Sequence, residues 1–302
     1  YQQYENSFDR SIAALLSLIL VGVALLILLI EAYSRGKPRY SKTGSGTARV
    51  PSIVVLGSWR WIAFGFCAIL VIISLIMPMS VLVYWVVRGM LSGEELGVLW
   101  VPTLNSLTVS VVTALISVAV ALPLVRFILK NRGLVAQVIE RLSFTGFALP
   151  GIVVALALVF FGANLAKFMY QTFWILIFGY LVLFFPVALG TIRSAGLQIS
   201  PAIEESSRNL GKTAIETLWL VTLPLLRKSV LAGAVLVFLV TMKELPATLI
   251  LSPLGFKSLA TVVWSASSEA FFAQAAMPAL LLVIMSSVPM AFLMSRDVRV
   301  NW

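Results

Sequence analysis

Long apolar runs separated by short polar and basic stretches fill the chain from one end to the other. A bilayer core of about 30 Å is crossed by roughly 20 helical residues rising about 1.5 Å each. Seven runs reach that length, at about 11–30, 61–87, 101–125, 143–165, 171–192, 229–251 and 271–295. The pattern predicts an all-α fold, a polytopic membrane helix bundle with about seven transmembrane helices. The run at 61–87 is long enough to tilt or to project beyond the core. Pro78, Pro150, Pro186 and Pro246 fall inside runs, where neighbouring helices can satisfy the backbone groups a proline leaves free.

Composition sharpens this picture. Of the 302 residues, 60% are hydrophobic and 11% charged, against about 45–50% and about 25% in an ordinary soluble domain. Mean hydropathy is +1.03. Disorder, collagen, coiled coil and a disulfide scaffold are excluded. There is no histidine, and the one cysteine is Cys67. The commonest general base and the commonest metal ligand are therefore missing, and neither catalysis nor a metal site of its own is expected.

Net charge is +10, but its placement argues against nucleic acid. Seventeen of the 22 lysines and arginines lie in 31–60, 126–141, 193–228 and the tail, which are alternate connections of the bundle. Cytoplasmic loops carry such an excess. Residue 1 is then expected outside the membrane and residue 302 in the cytoplasm. Trp59, Trp61, Tyr84, Trp85 and Trp100 lie near run ends, where amphipathic rings favour the headgroup level of the lipid bilayer.

Residues 32–58 hold glycine, proline, serine and basic residues, the composition of a flexible cytoplasmic linker. The linker separates one helix in 1–31 from six more closely spaced helices in 59–302. This order suggests the tail of one unit followed by a complete second one. With Tyr1 rather than methionine at its start, the chain reads as a segment of a longer polypeptide or a processed one.

The most specific stretch is the basic-side loop at 200–224. Ser200 suits a helix N-cap and Pro201 the first helical position. Glu204 and Glu205 follow in the early turns, where the helix dipole favours acids. Ile203 stands where a capping box needs Glu or Gln. Gly211 fits a C-terminal turn. The order is short helix, glycine turn, second short helix, and then Leu223-Pro224 re-entering the membrane. Ala202, Ser206 and Ser207 give a small-residue face for close approach to a partner. Glu205 and Arg208, three apart, share a face and could pair with each other or with partner charges. Gly211-Lys212-Thr213 mimics the end of a phosphate-binding loop, but Ser206 occupies the place of its first glycine and no strand precedes it, so ATP is not expected to bind here.

This loop resembles the coupling loop of ABC-transporter permeases, E-A-A, three residues, G, nine residues, I, one residue, L-P. Glu205-Ser206-Ser207 stands at E-A-A, Gly211 at G, and Val221-Thr222-Leu223-Pro224 at the end. The resemblance implies that Glu204, Glu205, Ser206, Ser207, Arg208, Gly211, Leu223 and Pro224 couple the bundle to a cytoplasmic ABC ATPase dimer. ATP would be held by that partner and no cofactor by this chain. A periplasmic substrate-binding protein and a second permease half, in the same polypeptide, complete the implied partners. Residues 1–31 would be the last transmembrane helix of the preceding half and 59–302 the six-helix permease domain.

The other informative place is Thr241-Met242-Lys243-Glu244-Leu245-Pro246. A charge inside a span costs about 2.5–3.5 kcal/mol on insertion scales, so Lys243 and Glu244 need a reason. Two readings are open: with Pro246 they form a broken helix lining a translocation path or gate, or they satisfy a kink. K-E-L-P-A-T here, with Ala148-Leu149-Pro150-Gly151-Ile152-Val153, resembles the ferric-iron branch of these permeases. The expected function is an import permease, not an enzyme, carrying ferric iron. The alternatives are an importer of sulfate, molybdate, thiamine or polyamine, and an ion-coupled secondary transporter built on Lys243 and Glu244. Asn105 and Ser106, near the start of the run at 101–125, either face a pathway or bond across helices, and the second is expected.

Overall fold

A computed structural model describes residues 56–298, except 95, 96 and 132, together with six separate helical positions between Leu15 and Leu26. Apart from those positions and 56–58, the expected first span at 11–30 and the linker at 32–58 lie outside the described residues. Among the described residues all regular structure is helical. Helix α1 is Trp59–Leu91, α2 Trp100–Lys130, α3 Leu134–Ala148, α4 Gly151–Asn164 and α5 Phe173–Gly196. Helix α6 is Pro201–Asn209, α7 Ala214–Met242, α8 Pro246–Leu251, α9 Leu259–Ser268 and α10 Phe272–Val298.

Among the described residues five single helices, α1, α2, α5, α7 and α10, are long and apolar enough to cross a membrane, and α3 with α4 make a sixth span if the bent pair is counted as one. Two expected spans are corrected. The run at 143–165 is broken, with α3 and α4 meeting at 107°. Pro150 lacks an N–H and forces the residue before it out of the helical region; Leu149 is extended with ψ of 132°. The run at 229–251 is also broken. Helix α7 ends at Met242 and a new helix opens at Pro246, where proline is well suited to a first turn.

Helices α2, α5 and α7 pack against one another and form the centre. On α2 the buried positions Ser106, Ser110, Thr113, Ser117 and Ala121 recur at helical spacing, a face of small side chains that lets neighbouring backbones close in. Leu189 and Ile192 of α5 meet Val237 and Met242 of α7 across it. A second cluster joins Val154 and Ala155 of α4, Leu176 and Leu183 of α5, and Ala247 and Leu251 of α8. Helix α1 lies at the rim against α10, through Trp85 and Phe272 with ring centroids 5.3 Å apart. None of its residues 59–71 is buried.

Helices α3 and α5 approach closely at Gly146, where a Cβ would collide with the Val182 carbonyl oxygen of α5. Both α1 and α7 contain one π turn, at Ile72–Ile76 and Leu218–Thr222. Each is followed by a residue and then proline, as Met77-Pro78 and Leu223-Pro224. A proline ring clashes with the carbonyl four residues back. Widening the preceding turn is a known way for a helix to absorb such a defect. The Met77 and Leu223 amides accordingly donate to Ile72 and Leu218.

Candidate functional site

The 200–224 loop has the expected outline, with three local corrections. Ser200 stands at the N-cap of α6, but its side chain makes no capping bond. The second helix is not short: α7 runs from Ala214 through Pro224 without a break. Its first turn is closed by a capping box in which Glu216 N–H donates to the Thr213 hydroxyl (3.2 Å) and Thr213 N–H donates to the Glu216 carboxylate (2.8 Å). That backbone N–H holds the Glu216 carboxyl below the usual carboxylate range. Thr213-Ala214-Ile215-Glu216 spells the S/T-x-x-E signature of this box, a signal the sequence contained and the reading of Ser200 overlooked.

At Gly211 the loop does as expected. The Gly211 amide donates to the Arg208 carbonyl (2.9 Å) and the Lys212 amide to the Ser207 carbonyl (3.3 Å). These two bonds define a Schellman motif, whose C′ residue adopts a left-handed conformation, and Gly211 has φ of +84°. Nothing lies within 4 Å of where its Cβ would be, so glycine is required here by the backbone and not by crowding.

The third correction concerns faces. Ala202 and Ser206 are exposed but Ser207 is buried, with its hydroxyl 3.0 Å from that of Thr217. Glu204 also turns inward: the Thr222 hydroxyl donates to it at 2.9 Å, and Arg126 of α2 lies 3.9 Å away. The same guanidinium donates to the Ala214 carbonyl at 2.6 Å, so one side chain ties α6 and α7 to the central helix. Glu205, Arg208 and Gly211 stay exposed, and no ion pair joins Glu205 to Arg208 among the described residues. Leu223 is half-buried and Pro224 exposed. A cavity of about 370 Å³ separates α6 from the ends of α2, α5 and α7, lined among others by Leu122, Lys130, Arg208 and Leu226. Arg126→Gln is expected to leave the Ala214 carbonyl and Glu204 short of a donor. Thermal unfolding of the purified protein should then show a loss of about 1–3 kcal/mol.

The second candidate region is the break between α7 and α8. Lys243 and Pro246 are exposed and Glu244 is half-buried. Glu244 accepts a hydrogen bond from the Ala247 amide at 3.1 Å, which caps α8. Its carboxylate also lies against Gly151, where a Cβ would come within 2.7 Å of Oε1. Gly151 opens α4, and a helix N-terminus favours a neighbouring negative charge. The two motifs singled out in the sequence, Leu149-Pro150-Gly151 and Lys243-Glu244-Leu245-Pro246, thus meet where two helices are broken. The Thr248 hydroxyl hydrogen-bonds to Tyr180 and to the Glu244 carbonyl. Ser106 bonds across helices, accepting from the Leu259 amide of α9 (2.8 Å), whereas Asn105 donates to the Lys257 carbonyl in the loop before α9 (2.9 Å).

Comparison with known proteins adds the lineage. The family described as binding-protein-dependent transport system inner membrane component matches residues 114–296. The chain is 37% identical over 297 residues to Fe(3+)-transport system permease protein FbpB 2 of Haemophilus influenzae, covering 97% of this chain and 58% of that protein. It is 23% identical over 314 residues to the probable ABC transporter permease protein y4fN of Sinorhizobium fredii, covering 96% of this chain and 55% of the relative. The chain therefore spans little more than half the length of these relatives. Among solved structures, a bacterial alginate ABC transporter in complex with an alginate pentasaccharide-bound periplasmic protein superposes with a TM-score of 0.63 at 16% identity, covering 80% of this chain and 98% of that one. That likeness concerns the fold.

Proposed function

The chain belongs to the family of binding-protein-dependent transport system inner membrane components, and from that premise we propose that it is one transmembrane half of an ATP-driven importer of ferric iron. The observation that carries the iron assignment is the 37% identity, over 97% of the chain, with a permease whose name states Fe(3+) transport. Matching that relative over 58% of its length supports a second half in the same polypeptide, with 1–31 as that half's last helix and 32–58 as the cytoplasmic linker between them.

In this reading the 200–224 loop faces the cytoplasm and α6 docks into an ABC ATPase. Exposed Glu205, Ser206 and Arg208 make the contact. Glu204, Ser207 and the Arg126 bridge hold α6 in a fixed relation to α7. ATP is bound and hydrolysed on the partner, and a periplasmic binding protein delivers iron at the opposite end. The break at Lys243, Glu244 and Pro246 belongs to the path or its gate, because exposed Lys243 is too polar to face lipid without cost.

The test uses the full-length protein with its ATPase and binding protein in membrane vesicles, measuring uptake of radiolabelled ferric iron. Uptake that requires ATP and the binding protein, and persists when the ion gradients are collapsed, is the expected result. Uptake abolished by collapsing the gradients would move the assignment to an ion-coupled carrier. ATP-driven uptake of sulfate, molybdate, thiamine or a polyamine in place of iron would retain the permease and replace the cargo.

A further inference from the structure

The α7–α8 break encloses a small pocket walled by Val109, Met242 and Phe256 together with six oxygen-bearing side chains. It is lined by Ser106 and Ser110 of α2, Tyr180 of α5, Thr241 and Glu244 at the break, and Ser258. Its volume is about 10 Å³, room for one water-sized particle. The Ser110 and Thr241 hydroxyls, 1% and 3% exposed, have no hydrogen-bond partner in the protein. A buried hydroxyl left without a partner is costly, and both of these line the pocket.

The pocket has one formally charged residue in its walls, Glu244, whose carboxylate faces the N-terminal ends of α4 and α8. The pocket sits at the C-terminal end of α7, a helix of 29 residues, where the macrodipole places partial negative charge. Pro246 has no N–H to offer the Met242 carbonyl. The Glu244 carboxylate adds a formal negative charge. No side-chain cation answers it: Lys243 is exposed and forms no ion pair with Glu244 among the described residues, and Lys257 is exposed too. Every polar group lining the pocket offers oxygen. No group of three or more histidine, cysteine or acidic residues occurs among the described residues, which argues against a divalent or transition-metal ion.

We propose that this pocket is a binding site for one monovalent hard cation, of sodium's size, held by the Glu244 carboxylate, the Ser110 and Thr241 hydroxyls and the carbonyl end of α7. Unwound helix ends and their carbonyls are suited to such ions. The cation balances the charge that Glu244 carries into the bundle and fixes the angle between α7 and α8. It is a fixed element of the permease and is separate from the cargo.

The test is the unfolding temperature of the purified full-length protein in detergent, titrated with sodium chloride while choline chloride holds ionic strength constant. A parallel potassium titration is run beside it. The expected result is a saturable rise of several degrees specific to sodium. Thr241→Val, nearly isosteric, and Glu244→Gln should each raise the sodium midpoint by roughly tenfold or more, a loss of about one decade in affinity. Ser117→Ala, which removes another buried hydroxyl of α2 outside the pocket, should leave the midpoint unchanged. A sodium curve that coincides with the potassium or the choline curve overturns the site and leaves a pocket for water alone. A Thr241→Val midpoint equal to the native one overturns it as well. Because the measurement involves neither ATPase nor iron, its outcome is independent of the transport assignment.

Discussion

Under the proposed function, Gly211→Val is expected to lower ATP-driven iron uptake by about tenfold or more while the protein still purifies as a folded membrane protein. The argument rests on backbone conformation. Gly211 has φ of +84°, and a β-branched residue in that region is a genuine outlier costing about 1–3 kcal/mol. The site is exposed and uncrowded, so the strain is relieved by reshaping the turn, not by unfolding the bundle. Loss of the Schellman bonds from Gly211 and Lys212 would change the angle at which α6 leaves α7. A shift of 1.36 kcal/mol in the working geometry is already a factor of about ten. Gly211→Asn is the informative companion, since asparagine is the other residue that helix C′ positions accept. It should retain most of the uptake and the co-purifying ATPase that valine loses. Equal activity of native and valine proteins would remove this turn from the transport mechanism.

Gly146→Ala is expected to have the largest effect on folding. Here the backbone is ordinary and space is the constraint: the added methyl would run into the Val182 carbonyl of α5. A carbonyl in a helix cannot swing aside as a side-chain end can, so α3 and α5 must move apart. Overpacking of this kind costs about 3 kcal/mol at the upper end of its usual range. The measurement is the yield of monodisperse protein and its unfolding temperature, beside Gly190→Ala. At Gly190 the same methyl meets only the Phe144 ring at 3.5 Å, an ordinary contact, and little change is expected. Parity of the two variants would show that the α3–α5 approach is looser than described.

Much of this was legible before the fold. The spans at α1, α2, α5 and α10 follow from hydropathy, because a helix in lipid must be predominantly apolar over about 20 residues. Gly211 stood out because few residues tolerate a left-handed turn, and the spacing around it fixed the loop. The helix breaks were harder. Pro150 and Pro246 announced trouble, but proline inside a membrane span can be either a kink or an end, and composition does not distinguish the two. The faces of α6 were misassigned at Ser207 because the small-residue pattern does not say which side meets α7. The Arg126 bridge and the meeting of Glu244 with Gly151 join residues far apart in the chain. Neither leaves a local pattern, and each depends on how α2, α4, α6 and α7 are packed.

The wide turn at Leu218–Thr222 has a further consequence for chain length. A π turn holds one residue more than the helix around it, like a single extra thread on a screw. Removing any one residue there would let the turn relax to ordinary pitch and leave the helix on either side close to its present relation, because the wide turn already absorbs one surplus residue. An added residue would find that slack already used: everything on its N-terminal side would rotate by about 100° and move out by about 1.5 Å, and Glu205, Ser206 and Arg208, which ride on the Ser207–Thr217 contact, would swing to another side of the molecule. The distance in residues from Gly211 to Pro224 is therefore an angular setting with slack in one direction, and an insertion within it would misdirect the segment even if every side chain were kept.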